Sequence, residues 1–311
     1  MKDTVLVTGG AGFIGSNIVK KMLEEGFKVK VLDNFLTGKR ENIIPFIDRI
    51  LLYEGDIRDL NIVKEAMEKV DFVLHQAALP SVVRSIENPS LTTDINIMGT
   101  LNILKVAKEE KVKRVIFASS SSVYGDSEIL PKKEEFCPNP LSPYALTKLT
   151  GEKYCKIFYD IYNLETISLR YFNVFGPRQD PRSQYAAVIP KFIKKIMNDE
   201  NPVIYGDGLQ TRDFTYIDNV VYANLLAMGK NRTKGEVVNI ACGRRHNLLE
   251  LVEEINRILG RRIEPIFAPP RPGDVKHSLA DVSLAKEVLG YEPKVHFYEG
   301  LKKTIEWYKN T

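Results

Sequence analysis

Residues 4–8, Thr-Val-Leu-Val-Thr, form a short β-branched run of the kind that a buried parallel strand shows. GGAGFIGS follows at once, with Gly9, Gly12 and Gly15 spanning a turn and the start of a helix. Ile14, Ile18 and Met22, with Val19 and Leu23 beside them, give that helix an apolar face, and Gly26 ends it. A second strand, Lys28 to Leu32, stops at Asp33, 18 residues after Gly15. Few folds satisfy this order. Strand, glycine loop, helix, strand and acid together make the unit of a dinucleotide site. Glycines let the backbone approach a pyrophosphate, the helix N-terminus meets its charge, and the acid accepts from the ribose 2′-hydroxyl. Asp33 would repel a 2′-phosphate, so NAD is expected rather than NADP. The plainer reading of the same residues is a tight turn followed by a surface acid.

Three more strand–helix units follow. Ile50 to Tyr53 leads into Gly55-Asp56-Ile57, a candidate adenine-edge site, and then a helix from Asn61 to Lys69. Asp71 to His75 is a fourth strand, ending in Gln76-Ala77-Ala78, whose small residues let a cofactor lie against the backbone. A long helix is predicted from Leu91 to Glu110, and a fifth strand from Lys113 to Ala118. Alternating strands and helices imply a doubly wound parallel α/β sheet, which binds ligands at the carboxyl ends of its strands. Asp33, Asp56, Ala77 and Ser120 all fall at such ends.

The fifth strand delivers four serines, Ser119 to Ser122, and the next helix begins with Tyr144 and Lys148. Four residues apart on a helix, these two side chains lie on one face. Free tyrosine titrates near ~10, and a close positive charge lowers a pKa by roughly 1–3 units. The spacing therefore predicts a phenol poised as a base, with a serine hydroxyl to share its proton.

After a sixth strand, Glu165 to Arg170, the βα rhythm weakens and Pro becomes frequent. Helices are predicted at Val188–Met197, Asn219–Met228, Leu248–Leu259 and Phe297–Tyr308, with short strands at Val203–Tyr205, Arg212–Ile217 and Val237–Ile240. Residues 1–172 read as a cofactor domain to which 213–240 returns; 173–212 and 241–311 read as a smaller α/β substrate-binding region.

Composition narrows the partners. A net charge of +4 over 311 residues, with no basic block interleaved with aromatics, gives no sign of nucleic acid. Three scattered cysteines argue against a disulfide framework or structural zinc, and the four histidines lack metal spacing, so no metal is expected. No leader and no apolar run of membrane-spanning length is present, and the chain reads as cytoplasmic. Trp307 is expected to anchor the last helix.

Taken together, TGGAGFIGS, Asp33, SSSSVYGD, YALTK, RYFNVFGP, Arg212-Asp213-Phe214 and RPGDVKHSLAD resemble the extended short-chain dehydrogenase/reductase family, over essentially the whole chain. The likeness is to its NAD-dependent UDP-sugar 4-epimerases. AALPSVVRSIENP and QDPRSQYAAVIPKF are most similar to UDP-N-acetylglucosamine 4-epimerases. The resemblance implies a Rossmann sheet, an isomerase, and a catalytic set of Ser120, Ser121, Tyr144 and Lys148. It implies NAD contacts from Gly9, Gly12, Phe13, Ile14, Gly15, Asp33, Asn34, Asp56, Ile57, Gln76, Ala77, Ala78, Asn96 and Tyr171, besides Tyr144 and Lys148. For the UDP-sugar it implies Ser81, Val82, Arg84, Ser122, Asn173, Ala187, Val188, Tyr205, Arg212, Arg271, Asp274 and Ser278.

A small residue at Ser278 leaves room for an acetamide, so UDP-N-acetylglucosamine is expected as a substrate beside UDP-glucose. Dehydratases and decarboxylases of the family carry acids where Ser121 and Ser122 stand here. UDP-glucuronate epimerases typically have Thr at Asn173 and Arg at Asp180, an acid expected to repel a uronate. A non-catalytic NAD-binding protein of this fold would usually lack the Tyr or the Lys. The family is commonly a homodimer, which would use Leu91–Glu110 and Tyr144–Tyr162.

Overall fold

The computed structural model describes residues 3–181, 187–270 and 276–310. Its first half runs β1 (Thr4–Thr8), α1 (Phe13–Glu24), β2 (Lys28–Asp33), β3 (Ile50–Glu54), α2 (Leu60–Met67) and β4 (Phe72–His75). There follow α3 (Val82–Glu87), α4 (Pro89–Thr93), α5 (Gly99–Glu109), β5 (Arg114–Ser120), α6 (Pro143–Tyr162) and β6 (Glu165–Tyr171). The second half has β7 (Val174–Phe175), α7 (Val188–Met197), β8 (Val203–Tyr205), β9 (Thr211–Arg212), β10 (Thr215–Tyr216), α8 (Ile217–Gly229) and β11 (Glu236–Ile240). It closes with β12 (His246–Asn247), α9 (Leu248–Leu259), β13 (Ile266–Ala268), α10 (Ser283–Leu289) and α11 (Phe297–Lys309).

Seven strands make one parallel sheet in the order β11-β6-β5-β4-β1-β2-β3. Strand side chains alternate between its faces. Val5, Val7, Val29, Val31 and Ile116 join the core beneath α1 and α8, whereas Leu6, Leu32, Val115 and Phe117 join the core beneath α2, α5 and α6. Both faces are covered, which is why these strands read as unbroken apolar runs. Each fully buried aliphatic side chain contributes roughly 1.5–3 kcal/mol, so the strand centres hold the sheet and leave its ends free for chemistry. The order reverses between β1 and β4, and a crevice opens there at the carboxyl ends.

One expectation is refined and another corrected. The predicted Leu91–Glu110 helix is a run of α4, a π turn at Asp94–Met98, and α5. Asn88 caps α4 through Leu91 N, and Pro89 occupies its first turn, so α3 stands as a separate helix. Likewise, Arg212–Ile217 is no single strand. β9 pairs antiparallel with β12, and β10 pairs parallel with β7. Between them Asp213 turns its carboxylate inward, which breaks the pleat. Among the described residues, no helix is long and apolar enough to cross a membrane.

Candidate active site

Two cavities meet at Ala187, which lines both. The larger, about 770 Å³, follows the carboxyl ends of the sheet. The smaller, about 260 Å³, lies among the elements after β6.

The larger groove is built from the sequence upward as follows. Gly9 adopts φ +69°, and a Cβ on Gly15 would stand 2.1 Å from the Gly9 carbonyl oxygen, so this turn accepts only glycine. The turn brings the N-terminus of α1 to the groove, with Gly12, Phe13, Ile14 and Gly15 in its wall. No described side chain caps α1, and its first turn holds no acid, which suits an anionic diphosphate. Asp33 accepts from Ala11 N through Oδ2 and from Phe35 N through Oδ1, both at 2.8 Å. Burial raises its carboxyl and these two bonds oppose the rise. Each oxygen keeps a lone pair for a hydroxyl. Gln76, Ala77, Ala78, Ile57 and Tyr171 also line the groove, and the buried Gln76 Oε1 has no hydrogen-bond partner among the described residues. An uncapped helix end, a diol acceptor and an unsatisfied amide oxygen together fit a dinucleotide.

Not every expected contact faces this groove freely. Asp56 lies in its wall, but its carboxylate is taken by Arg58 and by Asn34 Nδ2 at 2.8 Å, and Arg58 holds it below the usual carboxylate range. Asn96 turns away. Buried in the π turn, it accepts from Leu79 N at 2.7 Å and donates to Thr147 Oγ1 at 3.0 Å, so it supports the groove from behind. His75 is buried beneath the groove, where its ring bridges the Thr8 and Thr100 hydroxyls at 2.7 and 3.0 Å.

At the end of β5, Ser120 caps a 3₁₀ turn that begins with Ser121, accepting from Ser122 N and Ser122 Oγ. α6 starts cleanly because Ser142 accepts from Ala145 N and Pro143 follows it. That start presents Tyr144 and Lys148 to the groove. The poised phenolate expected from their spacing is not what the protein groups alone produce. Lys148 Nζ donates to the Ala118 carbonyl at 2.8 Å and lies 5.8 Å from the Tyr144 ring centroid. Burial pushes the Tyr144 phenol up, opposed by the Ser120 hydroxyl. Burial lowers the Lys148 amine to about 8, with Glu152 opposing.

The smaller cavity is lined by Asn173, Ala187, Val188, Tyr205 and Arg212 among others. Ser278 closes on it through Asn173 Nδ2, 3.5 Å from its Oγ. Ser81 and Arg84 instead border the larger groove, while Val82 is half exposed and lines neither cavity. Arg271 and Asp274 lie outside the described residues.

Sequence reasoning missed several groups. Lys39 and Asp180 pair at 2.6 Å across the rim of the larger groove. Asp180 therefore lines the larger groove with its carboxylate held by Lys39. Gln179 and Asn224 were missed too; Asn224 donates to Tyr171 OH at 2.9 Å. Beneath the site, Glu152 receives both Ser119 Oγ and the Arg170 guanidinium, all three buried. Ser119 and Arg170 within the otherwise apolar runs of β5 and β6 were its one sequence signal. Among the described residues, no three His, Cys, Asp or Glu side chains gather as metal ligands.

The model of the NAD dependent epimerase/dehydratase family matches residues 5–241. The chain belongs to that family. It is 43% identical to a putative UDP-glucose 4-epimerase of Methanocaldococcus jannaschii, over 98% of each chain. The UDP-N-acetylglucosamine 4-epimerase of Methanobrevibacter ruminantium, solved with UDP-N-acetylmuramic acid, shares 42% identity and superposes with a TM-score of 0.95, covering 100% of this chain and 99% of that one. The UDP-glucose 4-epimerase of Thermotoga maritima, solved with UDP-glucose, shares 41% identity with a TM-score of 0.94, covering 99% of each. As a family member the chain takes NAD as its cofactor, and the larger groove has the chemistry to hold it.

Proposed function

We propose that this protein is an NAD-dependent 4-epimerase of UDP-hexoses, acting on UDP-glucose and UDP-galactose and on their N-acetylated forms. The observation that carries this reading is the meeting of Tyr144 and Lys148 in one groove wall, with the Ser120 hydroxyl bonded to the Tyr144 phenol, beside a second cavity lined by Arg212 and Asn173. Glycines 9, 12 and 15 with the α1 N-terminus would hold the NAD diphosphate, and Asp33 its ribose. Bound NAD supplies a reversible hydride acceptor at the sugar C4, and its oxidised ring brings the positive charge that favours a Tyr144 phenolate. Tyr144 takes the proton of the sugar 4-hydroxyl and later returns it, with Ser120 sharing the proton. Lys148, fixed on Ala118, sets position and charge beside the phenol. Arg212 and Asn173 grip the nucleotide, a guanidinium and an amide suiting a diphosphate. The hexose must be held loosely enough to present its other face.

On this reading residues 1–172 with 213–240 serve the cofactor, and 173–212 with 241–311 serve the UDP-sugar. Ser121 and Ser122 supply no acid for elimination, which disfavours a dehydratase. UDP-glucuronate is the second reading, because the Lys39–Asp180 pair leaves no bare acid to repel a uronate; Asn173 speaks against it. We place a homodimer contact along the π turn before α5 and on α6, which expose Met98, Leu146, Ile157 and Ile161, and the protein, with its three free cysteines, in the cytoplasm. Incubation with UDP-glucose, UDP-galactose, their N-acetyl forms and UDP-glucuronate in turn, with products resolved as C4 epimers, tests the proposal. No epimer from any hexose would sink it.

A further inference from the structure

Asp213 sits between β9 and β10, fully buried. Its Oδ1 accepts from Cys242 N at 3.0 Å, and its Oδ2 from Gly243 N at 3.0 Å and Ala280 N at 3.2 Å. The Arg244 backbone N–H adds a further bond, yet burial still pushes the carboxyl up to about 6. A buried carboxylate is costly even when bonded, so a side chain kept there needs a reason beyond filling space. The surroundings supply one. The Asp213 carbonyl accepts from Asn173 Nδ2 at 3.2 Å, and Arg212 is its chain neighbour. Two residues before Ala280 stands Ser278, whose N donates to Thr211 O at 3.0 Å and whose Oγ meets Asn173 Nδ2. Asn173, Arg212 and Ser278 come from three separate segments, and all three are referenced to one residue.

We propose that Asp213 is a positioning residue of the nucleotide-sugar cavity: its carboxylate locks the loop after β11 and the Ala280 segment against β9, and so fixes Arg212, Asn173 and Ser278 without touching substrate. This rests on the epimerase reading above. Asp213→Asn keeps the shape but turns an amide N–H toward a backbone N–H, setting donor against donor.

The test compares the full-length parent with Asp213→Asn for NAD content, UDP affinity by calorimetry, and steady-state turnover of UDP-hexose. NAD content should be unchanged. The Kd for UDP and the KM should each rise about tenfold or more, with kcat within about threefold, the pattern of lost uniform binding. A residue that merely ties the fold would lower the melting temperature and leave UDP affinity and KM unmoved, which would overturn the proposal. Should the variant fail to fold, hydrogen exchange of the parent decides. Saturating UDP should slow the amides of Cys242, Gly243, Arg244 and Ala280 about tenfold, and unchanged rates would overturn the role. A parent that binds no UDP would bring down both this inference and the proposed function, whereas equal UDP affinity in parent and variant removes this inference alone.

Discussion

The two cavities are made by different means. Around the larger, position comes from the ladder: Asp33, Gln76, Ala77 and Ser119 stand at or just past the ends of strands whose register is fixed by parallel pairing on both sides. Around the smaller, strands of two or three residues supply little register, and position comes from buried side chains bonded to distant backbone. Asp213 reaches 242, 243 and 280; Asn219 holds Lys294 N, Val295 N and Val295 O; Asn239 donates to Lys132 O and Asp281 O and accepts from Tyr124 OH. The first design fixes a shape that many side chains tolerate. The second makes a few polar side chains indispensable to the shape itself.

That contrast yields a series of expectations, the largest first. Tyr144→Phe, on the laddered side, should cost ~10²–10⁴ in turnover while the unfolding curve stays put. A rate within about threefold of the parent would show that the phenol is not the base. Asn239→Ala, which cuts the ties that hold Lys132 and Asp281 to the end of β11, should do the reverse. It strands the Tyr124 hydroxyl proton and the Asp281 carbonyl, each worth about 1–3 kcal/mol when buried and unpaired, while the Lys132 carbonyl keeps the Asp281 N–H. We expect roughly 3 kcal/mol lost in denaturant titration, with NAD still bound. A loss below about 0.5 kcal/mol would mean that the ties do not carry this region.

Asp33→Ala tests whether the groove reads its ligand through one side chain on a rigid frame. NAD should bind about tenfold or more weakly, since charged hydrogen bonds contribute about 1.5–3 kcal/mol, and the preference over NADP should narrow. Equal affinity of the parent for both cofactors would end that assignment. The smallest effect is expected from Ser278→Tyr, which overfills the tied cavity. Overpacking costs about 1–3 kcal/mol, enough to lower turnover of the N-acetylated sugars several-fold while sparing UDP-glucose. An equal effect on both sugars would remove the pocket-wall role.

The same contrast explains what could be read before any coordinates. Glycine spacing, β-branched runs and the acid at Asp33 are local patterns. They placed all seven strands of the sheet, the α1 turn and the helix that carries Tyr144 and Lys148. The tied side resisted reading because its determinants are pairs such as Asp213 with Ala280, 67 residues apart, and nothing in either neighbourhood announces the other. Arg212–Ile217 reads as a strand by composition and fails as one because a buried carboxylate wins over the pleat. The likeness to UDP-glucuronate epimerases points to Asp180 as a bare acid, but its pairing with Lys39 crosses 141 residues and has no local signal. Lys148 was paired with Tyr144 by helix spacing, which says which face a side chain leaves from and not which carbonyl it reaches.

The place of β11 in the sheet has a consequence for how the chain is made. β6 pairs with β5 on one side and with β11 on the other, and β11 ends at Ile240. A nascent chain that has emerged only through β6 therefore shows a bare, apolar strand edge to its surroundings, a template for pairing with other chains. More than sixty residues separate β6 from the strand that covers it. Ribosomes work at about 5–20 residues per second, so that edge stays open for several seconds in every molecule. A fragment cut after residue 172 would keep the whole glycine turn and the Tyr–Lys helix and still be a poor, sticky protein, because its last strand would never meet its neighbour.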